Sequence, residues 1–233
     1  MAAWWPLFSP PEDYAEESRY FRDLLIKIGL PASPSLLELG CGGGSLVFHL
    51  KQIFERVTLS DLSPQMLEIS RSVNLECEHI AGDMRTLRLN RLFDVVLIHD
   101  AICYMTSLQD LDRAMQTAYA HCNPGGVVLL VPDWVRETFQ ATTEHGGKDG
   151  ENRALRYLEW TYDPDDRDTI YISDLAYLLR EEQGPAWIEH EQHICGLFTR
   201  SEWIRLLQAV GFQPETIRDP YERDIFVARK VKI

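Results

Sequence analysis

Apolar residues recur along this chain in two rhythms. Between residues 12 and 29, Tyr14, Phe21, Leu24, Leu25 and Ile28 fall on one face at helical spacing, and Gly29 supplies a stop. From residue 35 onward, short apolar runs alternate with helical patterns. SLLEL (35–39) reads as a strand, 45–55 as a helix and RVTLSD (56–61) as a second strand. SPQMLEISRS opens a helix, with Ser63 as N-cap and Pro64 in the first turn. ECEHIAGD is a third strand. LFDVVLIHD is a fourth, so continuously apolar that it predicts a central position covered on both faces. A helix over 107–122, a turn at NPGG and a fifth strand at VVLLVPD follow. Beyond residue 198, TRSEWIRLLQAV is a helix closed by Gly211. FQPETIRD and RDIFVARK are strands too close together to be parallel, because a parallel crossover needs about a dozen residues.

This alternation predicts an α/β fold: a doubly wound, mostly parallel seven-stranded sheet with an antiparallel last strand. Residues 134–195 break the rhythm. ALRYLEWTYD, TIYISDLAYLLRE and AWIEHEQHIC are rich in aromatic and β-branched residues, and DPDDRD and EEQGP separate them as turns. They predict a small antiparallel insertion of three strands laid over one edge of the main sheet. TTEHGGKDG (142–150) reads as a mobile loop ahead of it. The expected organisation is a main domain from 1–133 and 196–233, with the insertion at 134–195 covering the substrate site.

Charge narrows the partners. The 233 residues carry 36 acidic and 23 basic side chains, a net of −13. Such a surface repels phosphate backbones, so nucleic acid is not expected, and it draws cations instead. From Asp133 to Glu191 there are 15 acidic and 6 basic residues, so most of the negative charge lies in the insertion. The odd number of cysteines, with no C-x-x-C pair, predicts reduced thiols and a cytoplasmic location. The opening MAAWWPLFSPP shows no basic leader, and no apolar run reaches membrane-spanning length. Aromatic residues of the insertion could form its own core or a homodimer contact.

The candidate chemistry sits at LLELGCGGG. Gly40, Gly42 and Gly44 follow a strand and open a helix, the context in which backbone N–H groups and a helix dipole meet an anionic ligand. Asp61 ends the next strand, where a carboxylate can take both hydroxyls of a ribose. Gly82-Asp83-Met84 ends the third, an acceptor beside an apolar side chain suited to adenine. Acids at successive strand ends on one sheet edge argue for an adenosine-containing cofactor, since ligands of this fold bind at the carboxyl ends of the strands.

With these motifs the chain resembles the class I S-adenosylmethionine-dependent methyltransferases. LLELGCGGG is similar to their first motif, LSDLSPQML to their ribose-binding strand end, AGDM to their adenine site, and NPGGVVLL to the turn into their fifth strand. The stretches NPGGVVLLVPDWVRETF and HEQHICGLFTRSEWIRLLQAVGF resemble, more narrowly, the aminosugar N,N-dimethyltransferases and related small-molecule enzymes. The resemblance implies S-adenosylmethionine as cofactor and a small-molecule acceptor, an amine among the candidates, with N-methylation ahead of O- or C-methylation. It implies that Tyr14 contacts the cofactor, that Gly40, Cys41 and Gly42 hug its methionine part, and that Glu38 supports the glycine turn. Asp61 would take the ribose hydroxyls, Leu62 and Met66 would cover the base or sugar, and Asp83 with the Met84 amide would read the adenine edge. A carbonyl of Ile98 or His99 would accept from the cofactor ammonium.

His99, Asp100 and Tyr104, just past the fourth strand, are candidate bases, although His99 could equally matter through its backbone alone. His190 and His193 could face the pocket, yet on a strand they point to opposite faces, so H-x-x-H-x-C makes a poor chelate and no metal is expected. Two other readings compete: a nicotinamide-dependent oxidoreductase, and a methyltransferase-like binding module without activity.

Overall fold

The computed structural model describes residues 1–232. In chain order it contains α1 (Trp5–Phe8), α2 (Ala15–Ile28), β1 (Ser35–Leu39), α3 (Ser45–Leu50), β2 (Arg56–Asp61), α4 (Pro64–Val73), β3 (Glu78–Ala81), β4 (Phe93–Ile98), α5 (Leu108–His121) and β5 (Cys122–Leu130). Then come β6 (Thr142–Asp149), β7 (Arg153–Tyr162), β8 (Ile170–Glu181), β9 (Trp187–Gly196), α6 (Arg200–Val210), β10 (Phe212–Arg218) and β11 (Asp224–Lys230).

A seven-stranded sheet runs in the order β10-β11-β5-β4-β1-β2-β3. Its strands are parallel except β11, which lies antiparallel between β5 and β10. The period of two along each strand divides the core. Leu37, Leu39, Val96 and Ile98 face α5 and α6, whereas Leu36, Val95 and Leu97 face α2, α3 and α4. Glu38 therefore projects into the second, otherwise apolar layer. Strand order reverses at β1, so the crevice beyond β1 and β4 is the switch point at which such sheets bind ligands.

Local chemistry sets the boundaries. Ser63 caps α4 and Ser107 caps α5, and Thr199 with Glu202 closes a reciprocal box at the start of α6. The expected turn NPGG instead lies inside β5. The pairing jumps from Phe93↔Cys122 to Val95↔Val127, so these residues form a bulge. A Cβ on Gly126 would stand 2.9 Å from two backbone oxygens, which leaves room for glycine alone.

The second sheet has four strands, in the order β6-β7-β8-β9, one more than the sequence pattern predicts. TTEHGGKDG is not a loop. Thr142–Asp149 pairs residue for residue with β7, from Thr142↔Thr161 to Asp149↔Ala154. Gly146 and Gly147 are there for packing: a Cβ on Gly146 would meet the Tyr157 ring at 2.8 Å. Trp4, Leu7 and Phe8 pack on the inner face of this sheet against Leu155, Leu175, Tyr177 and Leu179. No helix among the described residues is long and apolar enough to cross a membrane.

Candidate functional site

The glycine turn after β1 is a left-handed corkscrew, with φ of +77° at Gly40, +53° at Gly42 and +73° at Gly44. The amides of Gly40 and Cys41 both donate to the Ser60 carbonyl, at 2.7 and 3.0 Å, and so lash the turn to the end of β2. A Cβ on Gly40 would strike Ala101 at 2.5 Å, but one on Gly42 would meet nothing within 4 Å. Gly40 is small because protein crowds it. Gly42 faces open space.

Asp61 stands beside this turn. One carboxylate oxygen accepts from the Gly42 amide and the other from the Ser63 amide, each at 2.8 Å. The Gly82 amide donates to the Asp61 carbonyl at 3.0 Å, so the ends of β2 and β3 form one ledge. Glu38 lies under the turn, fully buried, and its Oε2 has no hydrogen-bond partner. Burial, reinforced by Asp61 and Asp100, pushes its carboxyl up to about 8 despite the opposing charge of His99.

His99 begins the turn after β4. Its Nε2 lies 2.9 Å from Glu17 Oε1 and its Nδ1 3.2 Å from Asp100 Oδ2. Burial disfavours the charged ring, but Asp100 and Glu17 overcome it and hold the imidazole well above its ordinary value. Arg223 also grips Glu17, reaches Asp219 at 2.7 Å and approaches Asp100 at 3.7 Å. Burial opposes the Glu17 carboxylate, yet His99 and Arg223 pull it down to about 2. The resulting ring of charges links α2, the end of β4 and the β10–β11 hairpin.

The glycine turn, Glu38, Asp61, His99 and Asp100 wall a cavity of about 750 Å³. The glycine turn, Asp61, Met66 and Glu38 form its floor. Trp5, Phe8 and Tyr14 close one side, and Tyr171, Tyr177, His193 and Cys195 of the small sheet close the other. A second cavity of about 470 Å³ adjoins it and shares Asp133, Glu159, Tyr171 and Ser173. Glu144 and Arg218 line this second chamber. Burial, together with Asp100, raises the Asp133 carboxyl well above the carboxylate range. Among the described residues nothing hydrogen-bonds or ion-pairs with it. Glu159, directly opposite Glu144 across β7 and β6, is also raised, by burial and by that neighbour.

Residues 36–126 match the family model of a methyltransferase domain. The dTDP-3-amino-3,4,6-trideoxy-alpha-D-glucopyranose N,N-dimethyltransferase of Streptomyces venezuelae is 34% identical, with 93% of this chain and 91% of that protein covered. The chain belongs to the S-adenosylmethionine-dependent methyltransferases. The crystal structure of Streptomyces venezuelae DesVI superposes with a TM-score of 0.85 at 25% identity, over 94% of this chain and 92% of that one. The sugar N-methyltransferase KedS8 from Streptoalloteichus sp. ATCC 53650 gives the same TM-score and identity, over 94% of this chain and 88% of that one. The oxidoreductase and inactive-module readings fall away. This methyltransferase is an enzyme that uses S-adenosylmethionine and modifies a small-molecule acceptor.

Two features of the methyltransferase fit that cofactor. The orphaned Glu38 oxygen offers a buried partner to an ammonium, and the open space over Gly42 lets a ligand lie against backbone. Of the residues singled out from sequence, the cavity collects Tyr14, Glu38, Gly40, Cys41, Gly42, Asp61, Met66, His99 and Tyr104. Four others lie off its walls. Leu62 is 69% exposed at the rim between Asp61 and Ser63. Both oxygens of Asp83 are taken by the Arg85 guanidinium. Met84 packs under Gly40. The Ile98 carbonyl accepts from Val131 at 3.0 Å within the sheet.

Both ring nitrogens of His99 face carboxylates, Asp100 and Glu17, which favours the charged ring, a form with no lone pair to offer as a base. His190 points away to Asp174, 2.8 Å distant, while His193 turns inward. Sequence reasoning passed over Trp5, Glu17, Asp133, Glu159 and Arg223 as site residues. The tandem Trp4-Trp5 was the one local signal for the first of these.

Proposed function

We propose that the enzyme N-methylates the amino group of a small polar acceptor of the amino-sugar class. Asp133 carries this reading. It is a carboxyl without a hydrogen-bond or ion-pair partner where the cofactor cavity meets the second chamber, and although His99 and Arg223 act on it from a distance, an acceptor ammonium there would supply the direct partner it lacks. The hydroxyls of Thr138, Thr142, Thr161 and Ser173 line the same chamber and suit a hydroxylated ring. The names of the relatives point to the same class. The small sheet thereby covers the acceptor site, with residues 134–195 as the insertion and the rest as the cofactor domain.

S-adenosylmethionine supplies a methyl group already activated on a sulfonium, so the protein's work is alignment and exclusion of water. Glu38 would partner the cofactor ammonium, and the backbone of Gly40, Cys41 and Gly42 would hold its methionine part. The unpaired Trp5 Nε1–H is placed to donate to a carboxylate. Asp61 would take the ribose hydroxyls with its remaining lone pairs. Met66, on the cavity wall, would flank the base; Leu62 at the rim and the Met84 amide would reach it only at the cavity edge, and Asp83 is engaged by Arg85. The His99 carbonyl, with one long bond of 3.3 Å from Ile102, is a freer acceptor than that of Ile98.

We further assign the outer face of the small sheet to a homodimer. Leu158, Trp160, Leu178, Ile188 and Ile194 are exposed on that one face, apolar side chains that a partner copy would cover. Light scattering checks this: a dimer that Trp160→Glu dissociates is expected, and a monomeric wild type refutes it. The five unpaired cysteines support a reducing, cytoplasmic setting.

The function is tested by transfer of labelled methyl to matched sugars bearing an amine, a hydroxyl or a carboxylate at one position. Labelling of the amine alone is expected. Transfer to the hydroxyl or carboxylate sugars with none to the amine would overturn the assignment.

A further inference from the structure

Resting on that amine reading, we infer that Tyr104 and His193 form a proton exit for the acceptor ammonium, with Glu191 as the residue that positions it. An amine bound near neutral pH arrives as R–NH3⁺, whose nitrogen has no lone pair for a methyl group. Each transfer therefore needs a proton removed within the cavity. Asp133 can hold the cation, and His99, already charged, cannot take its proton.

The Tyr104–His193 pair can. Tyr104 Oη lies 2.9 Å from His193 Nδ1, and His193 Nε2 lies 3.7 Å from Glu191 Oε2. All three residues line the cofactor cavity. The carboxylate on the Nε2 side favours the tautomer that carries its proton there. Nδ1 is then a bare acceptor aimed at the Tyr104 hydroxyl, and the tyrosine oxygen keeps lone pairs for the substrate. Tyr104 is 51% exposed at the cavity edge, yet the protein packed around its ring, with Cys103, Cys195, Asp133 and Tyr177 nearby, holds the phenol above its ordinary value, so it relays a proton without resting as phenolate. Ser173 stands opposite His193 on β8, Glu159 lies nearby on β7, and the Met1 amine sits beyond Glu191 at 3.3 Å. The His193 side chain is 31% exposed and can return its proton to solvent.

The step balances. The ammonium proton passes to Tyr104 Oη as the hydroxyl proton passes to His193 Nδ1. The freed nitrogen pair forms the C–N bond, and the pair of the breaking C–S bond stays on sulfur. A dimethylated product requires the same proton exit twice.

Two readouts on the full-length enzyme saturated with S-adenosylmethionine test the relay. Nitrogen-15 NMR reports the His193 tautomer: a proton on Nε2 is expected, and one on Nδ1 overturns the relay. Turnover against pH is then followed with the amine acceptor found by the screen above. His193→Gln and Tyr104→Phe are each expected to lower kcat by about tenfold or more near pH 7, with cofactor affinity unchanged. The deficit closes as pH nears the acceptor's own pKa, where the amine arrives unprotonated. A deficit equal at every pH, or none, overturns the relay. A screen that finds no methylated amine overturns the amine reading as well, and is told apart from failure of the relay alone, in which amines are methylated and the variants keep the wild-type pH profile.

Discussion

Glu38→Gln isolates the cost of keeping a carboxyl in an apolar layer. In the unfolded chain this group titrates near 4.5, and in the cofactor-free fold near 8. Between those values the native state holds a proton that the unfolded state has released, so stability falls as pH rises. Below 4.5 both states are protonated and nothing is lost; above 8 the full penalty stands. At about 1.4 kcal/mol for each tenfold the displacement amounts to about 5 kcal/mol, and water reaching Glu38 through the cavity lowers this to about 3–5 kcal/mol. Glutamine keeps the shape and cannot ionise. Urea unfolding of both proteins without cofactor, at pH 5 and pH 8.5, checks the argument. The variant should gain on the wild type by about 3–5 kcal/mol over that interval. Saturating S-adenosylmethionine should shrink the gain, because an ammonium beside Glu38 stabilises the charged form. Unfolding curves that move in parallel with pH would refute the account.

Three further outcomes follow from the same geometry. Gly42→Val should keep its far-ultraviolet circular dichroism and lose cofactor binding in calorimetry, since the side chain would project into space that protein leaves open and would strain a φ of +53°; binding at wild-type strength would contradict this. Asp61→Ala should weaken cofactor affinity by about 1–3 kcal/mol, partly by leaving the Gly42 and Ser63 amides unpaired; an unchanged dissociation constant would remove Asp61 from the site. Glu17→Gln strips His99 and Arg223 of a shared buried partner and should cost about 3–5 kcal/mol of stability. Because the Glu17 carboxyl is depressed to about 2, its contribution is complete above 4.5 and fades as pH falls toward 2, so variant and wild type should converge in acid.

The parts of the fold that sequence reasoning placed well are those in which local pattern and tertiary role agree. The apolar runs of β1 and β4, the Ser63-Pro64 start of α4 and the Gly211 stop of α6 each carry their own punctuation. Two misreadings share a cause. Glycine in NPGG and in TTEHGGKDG resembles a turn, but here it makes room for a neighbouring backbone or ring, a demand set by residues distant in sequence. The glycine turn and its carboxylates were legible because strand, turn and acid follow within a few residues. The charge partners were not. Glu17 meets His99 82 positions away, and Tyr104 meets His193 89 positions away. No window of sequence holds both members of either pair. Asp83 shows the converse limit, since the pattern located its strand end but not the arginine two residues on that occupies it.

The contact between Glu17 and Arg223 spans 206 positions. The wall that carries Tyr14 and His99 is therefore finished only when the penultimate hairpin strand and the turn after it have been made and have folded back onto the first long helix. A polypeptide that stops short of Arg223 is expected to keep the glycine cradle's own residues while lacking the cation that pins Glu17 beneath His99, so the site is completed by the last stretch of the chain.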